Sequence, residues 1–199
     1  MVRVTKAPDV RRTELMEAAM ILFMAQGAEG TAVADIVGRV GVAQGTFYYH
    51  FPSKDALLEA LAERLAAPVG EAVEAQASDP SIPVPRRLKN TLSAVLDLIE
   101  MGRPHLTGLV KPGNEGLHDR VGNALRAHLQ PTFSSLVAEG NADGTLAVDP
   151  AAETVELLLS TVFHLVRAHA HGEDPDRVAR MRIAAEQLFA RGLVLPDPN

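Results

Sequence analysis

The chain has 199 residues, a net charge of −6 at pH 7 and no cysteine. This length predicts one or two domains with room for a buried core, and the missing cysteines exclude disulfides and thiolate metal sites. No apolar run approaches the roughly 20 residues that a membrane-spanning helix needs, and the first residues lack the apolar segment of a signal peptide. We therefore expect a cytoplasmic protein with no membrane partner.

Charge is spread unevenly along the chain. Residues 1–54 hold six basic and five acidic side chains, whereas residues 55–199 hold 13 basic and 20 acidic ones. A net negative charge argues against general nucleic-acid binding. A slightly basic first segment on an acidic body instead suits a protein that binds DNA at one end only.

The first part of the chain predicts an arm and a helix. Residues 1–10 are polar and aperiodic, which is typical of a flexible arm and, more often, of a solvated tail without function. Apolar residues then recur at helical spacing over residues 11–27. The basic side chains of this part are placed to reach phosphates or the minor groove: Arg3, Lys6, Arg11 and Arg12.

The next stretch predicts a short helix followed by a turn. Apolar side chains recur at i, i+3, i+4 and i+7, which marks one face of an amphipathic helix: Val33, Ile36, Val37 and Val40. Thr31 precedes this run and is a candidate N-cap. Gly41 follows it, and glycine adopts the left-handed conformation of a helix end at little cost.

A second short helix is predicted from about Ala43 to His50. Phe47 and Phe51 are one turn apart and can face inward together. Polar and aromatic side chains then point outward, and these can pair with base edges, phosphates or a thymine methyl group: Gln44, Thr46, Tyr49 and His50. Two short helices with such an outer face predict a helix-turn-helix that enters the major groove.

The string GVAQGTFYYHFPSKDALLEAL carries a specific resemblance. With the helix before it, over about residues 11–65, it resembles the signature of the tetracycline-repressor (TetR) family of bacterial transcription regulators. The resemblance implies an all-α fold, with an N-terminal three-helix helix-turn-helix domain (1–54) and a helical effector-binding and dimerisation domain (55–199). It implies DNA contacts from six residues: Gln44, Thr46, Tyr48, Tyr49, His50 and Lys54.

Prolines and glycines punctuate the rest of the chain. A helix from about Ser53 is expected to kink or break near Pro68, because proline removes a helical hydrogen bond and crowds the preceding turn. Residues 78–85 predict a loop, and the string LKNTLSAVLDLI predicts a helix over residues 88–99. Residues 102–116 predict at most a short helix (104–110) and a mobile loop, either gating a pocket or simply connecting two helices.

Three further helices are predicted before the C-terminus. The first covers residues 115–139 and contains Pro131, where we expect a kink. The second starts after Asp149 and ends at Gly172, and the third starts at Pro175. The last two carry wide apolar faces, so a pair from each of two copies would form a four-helix bundle. The resemblance implies the same homodimer interface.

The sequence offers no catalytic motif, no cofactor motif and no set of side chains with metal-ligand spacing. His169 and His171 lie two residues apart, which points their rings away from each other on a helix. The inward faces instead suggest an apolar effector pocket with one or two polar anchors. Its candidate lining residues are Leu96, His105, Leu125, Leu129, Phe163 and His164, although such a histidine is more often an ordinary core or surface residue.

We therefore predict a homodimeric regulator that binds a palindromic operator in double-stranded DNA. It is expected to act as a repressor that a small, largely apolar effector releases from the operator. Two alternatives are kept: a regulator controlled by a protein partner, and a helical enzyme whose first domain only looks like a DNA-binding domain.

Overall fold

The structure is a computed structural model that describes residues 8–101 and 108–193, and within them the fold is all-α. Its helices are α1 (Pro8–Gln26), α2 (Val33–Val40), α3 (Gln44–His50), α4 (Lys54–Ala77), α5 (Val84–Met101), α6 (Glu115–Asp143), α7 (Ala151–Ala170) and α8 (Pro175–Leu193). The predicted fold class is confirmed. None of the described helices is long and apolar enough to cross a membrane.

The chain divides into two compact units. The first comprises Met1–Arg64 and Leu109–Val121, and the second comprises Leu65–Gly108 and Gly122–Asn199. Both α4 and α6 therefore begin in the first unit and continue into the second. The domain boundary predicted after residue 54 separates the DNA-binding part of the chain from the effector-binding part. A division by compactness does not test it, so it stays a prediction.

The first unit is built around a small apolar core in which the large side chains come from α1, α2, α3, α4 and α6. Helix α1 contacts α2, and α2 contacts α3. The buried residues follow the helical spacing that the sequence predicted for these segments, which include Leu15, Ala19, Phe23, Ile36, Phe47, Phe51, Leu57, Leu61 and Leu117. Helix α6 is also tied to α4 here, because Arg120 pairs with Asp55 and Glu59, each at 2.8 Å.

The second unit has the larger core. Helices α5, α7 and α8 contact one another, and α4 and α6 add buried side chains to the same cluster. The cluster is aliphatic apart from Phe133, and its members include Val73, Leu92, Leu96, Leu129, Leu136, Leu159, Val162 and Leu165.

Two details of helix geometry differ from the sequence predictions. Thr31 is not the N-cap of α2: Ala32 occupies that position, and the Asp35 carboxylate accepts a hydrogen bond from the Ala32 backbone N–H at 2.8 Å. The expected break at Pro68 is absent, because α4 continues through it to Ala77. Helix α6 continues through Pro131, in agreement with the single helix predicted over residues 115–139.

Two segments predicted as loose are partly ordered. The arm predicted for residues 1–10 includes three residues that begin α1, and the rest, with Arg3 and Lys6, lies outside the described residues. The mobile loop predicted up to residue 116 is wrong for its last part. Lys111, Gly113 and Asn114 are hydrogen-bonded to residues at and just beyond the C-terminal end of α1.

Candidate nucleic-acid interface

The turn between α2 and α3 has the geometry that the sequence predicted at Gly41. This residue has φ 76° and ψ 39°, in the left-handed region that favours glycine. Its N–H donates to the Val37 carbonyl at 2.9 Å, and the Val42 N–H donates to the same carbonyl at 3.0 Å. These two hydrogen bonds cap the C-terminal end of α2, and the chain then continues into α3.

Helix α3 is fixed to the first unit by one aromatic face. Phe47 and Phe51 are both buried, with ring centroids 5.7 Å apart. The ring of Tyr48 meets Phe47 edge-on at 5.4 Å. The N-cap residue Ala43 makes no side-chain capping bond, so packing of the two phenylalanines must hold this seven-residue helix in place.

The opposite face of α3 carries the side chains predicted to contact DNA. Gln44 is exposed, and Tyr48 and Tyr49 are 51% and 77% exposed. Thr46 and His50 are half-buried, and the His50 ring meets the Tyr49 ring edge-on at 4.9 Å. An amide, hydroxyls and aromatic edges on one helix face are the groups that read base edges and bind phosphates in a major groove.

Lys54 has a structural role besides the predicted phosphate contact. Its ammonium donates to the Thr31 carbonyl oxygen at 2.8 Å. This bond joins the first residue of α4 to the turn before α2. Because an ammonium has three donors, a contact with a phosphate remains compatible with this bond.

Arg39 is a candidate DNA contact that the sequence analysis did not name. It is exposed in the last turn of α2, and among the described residues no carboxylate pairs with it. Arg12, in contrast, lies with its guanidinium 4.9 Å from the centroid of the Phe51 ring. The sequence could have indicated Arg39 by its position. It lies in the last turn of the first short helix, directly before the predicted recognition helix.

The predicted effector-lining residues that the structure describes all belong to the second unit. Leu96 and Leu129 lie in its core, and Phe163 packs against that core. Leu125 is also buried. His164 is exposed, and His105 lies outside the described residues. The Arg126 guanidinium lies 4.7 Å from the centroid of the Phe163 ring, which places one cation next to the apolar set.

A separate open cleft of about 380 Å³ lies in the second unit. Its walls include the buried Arg87, which donates hydrogen bonds to the Ala77 and Ile82 carbonyls and pairs with Glu139. The remaining walls are Glu74, Ser78, Pro131, Thr132, Ser135 and Leu136. None of the predicted effector-lining residues lines this cleft. Among the side chains that the structure describes, no group is suited to a metal ion.

Comparison with known proteins agrees with the geometry of the first unit. Residues 15–61 match the model of the family described as "Bacterial regulatory proteins, tetR family". The repressor DhaR from Mycobacterium sp. (strain GP1) is 28% identical over 143 residues, covering 70% of this chain and 72% of DhaR. The repressor KstR2 from Rhodococcus jostii (strain RHA1) is 38% identical over 55 residues, covering 28% of this chain and 27% of KstR2.

Solved structures extend the likeness to nearly the whole chain. A putative TetR-family regulator from Shewanella sp. PV-4 is 25% identical, with a TM-score of 0.67 over 94% of this chain and 99% of that one. Another, from Syntrophomonas wolfei, shares the fold at 17% identity with a TM-score of 0.74, over 96% of this chain and 100% of that one. Residues 15–61 thus match the tetR family model, and the chain has the fold of TetR-family transcription regulators over nearly its whole length. It is thus a DNA-binding regulator and not an enzyme.

Proposed function

We propose that the protein is a homodimeric transcriptional repressor that binds a palindromic operator and is released by a small, largely apolar effector. The observation that carries this proposal is the outer face of α3, where Tyr49 is 77% exposed while Phe47 on the same helix is buried. An aromatic side chain this open contributes nothing to the core. A helix that exposes Gln44, Tyr48 and Tyr49 is suited to binding in a major groove.

The homodimer is supported by apolar side chains left open on the last two helices. Leu157 on α7 is 67% exposed, and Ile183 and Leu188 on α8 are 54% and 65% exposed. The two helices contact each other, and large apolar side chains left exposed on such a pair are candidates for an interaction surface. A second copy that packs the same two helices against these would form a two-fold, self-complementary interface.

A palindromic operator follows from the same argument. Two copies related by a two-fold axis present two recognition helices, which match two half-sites about 34–36 Å apart or a multiple of one helical turn. We call the DNA-binding domain of one copy, residues 1–54, its head. Each head alone is nearly neutral in charge. Phosphate neutralisation supplies most of a protein's sequence-independent DNA affinity. Strong binding is therefore expected from two heads held together.

The effector is proposed to bind among the aliphatic side chains of the second unit. Leu96, Leu125 and Leu129 are buried there, and Phe163 is half-buried beside Arg126. Surroundings of this kind favour an apolar or amphipathic small molecule. Such a ligand would weaken DNA binding only if it binds better to a state of the protein that binds DNA less well.

The proposal is tested by selecting duplexes from a random DNA library with the full chain. A palindromic sequence should emerge, and its binding should weaken steeply with salt. Binding of the selected duplex should require Gln44 and Tyr49, measured by mobility shift with Gln44→Ala and Tyr49→Ala. Selection of no sequence, or of a site without two-fold symmetry, would contradict the proposed operator. Displacement of the duplex by a purified protein but by no small molecule would favour control by a protein partner.

A further inference from the structure

The turn that follows α1 is held by a residue from a distant part of the sequence. We call residues 27–31 the head turn. Asn114 is 0% exposed, and its Oδ1 accepts a hydrogen bond from the Ala28 backbone N–H at 2.7 Å. Its Nδ2 donates to the Phe23 carbonyl oxygen at 2.9 Å. One side-chain amide therefore joins the last full turn of α1 to the head turn.

Neighbours of Asn114 make two further hydrogen bonds to the same place. The Glu29 N–H donates to the Gly113 carbonyl oxygen at 2.9 Å. The Lys111 ammonium donates to the Met24 carbonyl oxygen at 2.7 Å. Carbonyl groups in the last turn of a helix have no partner within that helix, and the Met24 carbonyl is paired here by Lys111 from outside α1.

Close backbone approach explains the glycine at the start of the head turn. Gly27 has φ +82°, and a Cβ on it would lie 2.8 Å from the Pro112 carbonyl oxygen and 3.2 Å from Gly113 Cα. Any side chain at this position would push the two segments apart. The contact therefore depends on the backbone conformation of both segments.

The head turn is bonded on its other side to the start of α4. The Thr31 hydroxyl donates to the Gly27 carbonyl at 2.7 Å, which closes the turn on itself. Lys54 then donates to the Thr31 carbonyl at 2.8 Å. Lys54 is the first residue of α4 and comes four residues after His50, the last residue of α3, so hydrogen bonds run from Asn114 through the head turn to the segment that directly follows the recognition helix.

We propose that Asn114 is a positioning residue for DNA binding. It contacts no DNA itself, and it acts by holding the head turn in the one shape that places α2 and α3 correctly on α1. The DNA-binding unit is accordingly discontinuous: it needs residues 109–121 as well as the helix-turn-helix. This role depends on DNA binding by the family and not on any response to an effector.

The chain contains a control with the same pattern of hydrogen bonds. Asn141 Oδ1 accepts from the Val148 N–H at 2.9 Å, and its Nδ2 donates to the Val148 carbonyl at 2.8 Å. This pair lies in the second unit. Replacing Asn114 or Asn141 by alanine therefore removes a side-chain amide that bridges backbone groups, but only Asn114 holds the head turn.

The experiment compares full-length Asn114→Ala and Asn141→Ala on a duplex that the unmodified protein selects from a random library. At a temperature where circular dichroism shows both variants folded, Asn114→Ala should bind about tenfold more weakly. Asn141→Ala should bind as the unmodified protein does. The salt dependence of Asn114→Ala should not change, since no phosphate contact is lost, and backbone amides of residues 27–32 should exchange faster in this variant alone.

Several outcomes would overturn the proposal. Equal affinities for Asn114→Ala and the unmodified protein would do so, as would equal losses in both alanine variants. If Asn114→Ala does not fold, Lys111→Met decides, because it removes one exposed partner of the same contact: we expect about threefold weaker binding, and unchanged affinity overturns the proposal. Failure of the unmodified protein to select any duplex would instead contradict the proposed operator.

Discussion

At the scale of single residues, Tyr49 is the sharpest test of the recognition face. Its ring is exposed except for the edge contact with His50, so replacing it by alanine removes little from the packed fold. Tyr49→Ala should abolish sequence-selective binding while leaving the unfolding temperature nearly unchanged. Mobility shifts with selected and scrambled duplexes, together with thermal melting, measure both quantities.

Phe47→Ala is the matched control for Tyr49→Ala on the same helix. Phe47 is fully buried, and truncation of a buried phenylalanine typically costs about 3–5 kcal/mol of stability. This variant should lose stability and DNA binding together. If Tyr49→Ala also loses both in proportion, Tyr49 belongs to the core and the proposed recognition face is incorrect.

Lys54 combines two roles that a pair of variants can separate. Lys54→Met removes its bond to the Thr31 carbonyl, so stability should fall by about 1 kcal/mol. It should also weaken binding to all duplexes and lower the salt dependence by about one unit if a phosphate contact is lost.

Arg39→Met provides the comparison for Lys54→Met. Arg39 is an exposed cation without a carboxylate partner among the described residues, so its loss should lower the salt dependence and leave the unfolding temperature unchanged. Unchanged stability in Lys54→Met would show that its bond to the head turn contributes nothing. Unchanged salt dependence in both variants would place the phosphate contacts elsewhere.

At the scale of helices, Pro68 shows that tertiary packing can override the low helix propensity of a single residue. Proline in a helix costs about 3 kcal/mol, yet α4 runs through it from Lys54 to Ala77. Buried side chains on both sides hold the helix in place: Leu61, Ala62, Ala66, Val73 and Ala77. Burial of this apolar face, at about 25 cal/mol per Å², offsets the cost of the lost hydrogen bond.

Pro68→Ala should therefore stabilise the protein. Pro68 itself is exposed, so its ring fills no core space, and alanine restores an N–H that can donate to the Arg64 carbonyl. Unfolding in urea should show a gain of about 1–3 kcal/mol. Pro131→Ala, at the other exposed helix-interior proline, should behave alike. A loss of stability in either variant would mean that the proline at that position favours the native helix geometry.

The sequence was informative wherever one face of a helix is buried. Spacing predicted α2, α3 and the inward side of Phe47 and Phe51, because burial repeats with the helical period. It did not reveal the contact of Asn114 with Ala28 and Phe23. That contact joins polar groups of residues 86 and 91 positions apart, and it lies in a glycine- and proline-rich stretch that resembles an ordinary loop.

The candidate effector site was predictable from the sequence only in part, because its geometry depends on how helices pack. Leu96 and Leu129 were correctly expected to face inward, since hydrophobic spacing reports burial. Spacing does not report whether a buried side chain lines a cavity or fills a core. The exposed position of His164 and the approach of Arg126 to Phe163 depend on how α6 and α7 pack, which local pattern does not determine.

At the scale of the whole molecule, the proposed homodimer forms through helices of the second unit and pairs two copies of the DNA-binding unit. Leu157→Glu combined with Leu188→Glu places charges in the middle of the proposed interface, where burying an unpaired carboxylate is costly. Light scattering should show a monomer in the variant and a dimer in the unmodified protein. Ile21→Glu, an equivalent change at an exposed apolar residue of α1, should leave the mass unchanged.

The same double variant predicts how much of the DNA affinity depends on pairing. A monomer presents one nearly neutral head, so it neutralises about half as many phosphates as a dimer, and the slope of log affinity against log salt should fall to about half. Binding to a duplex with one half-site should be equal for variant and unmodified protein. If the variant binds the full palindrome as tightly and with the same salt slope, the heads bind independently, and the last two helices do not determine operator affinity.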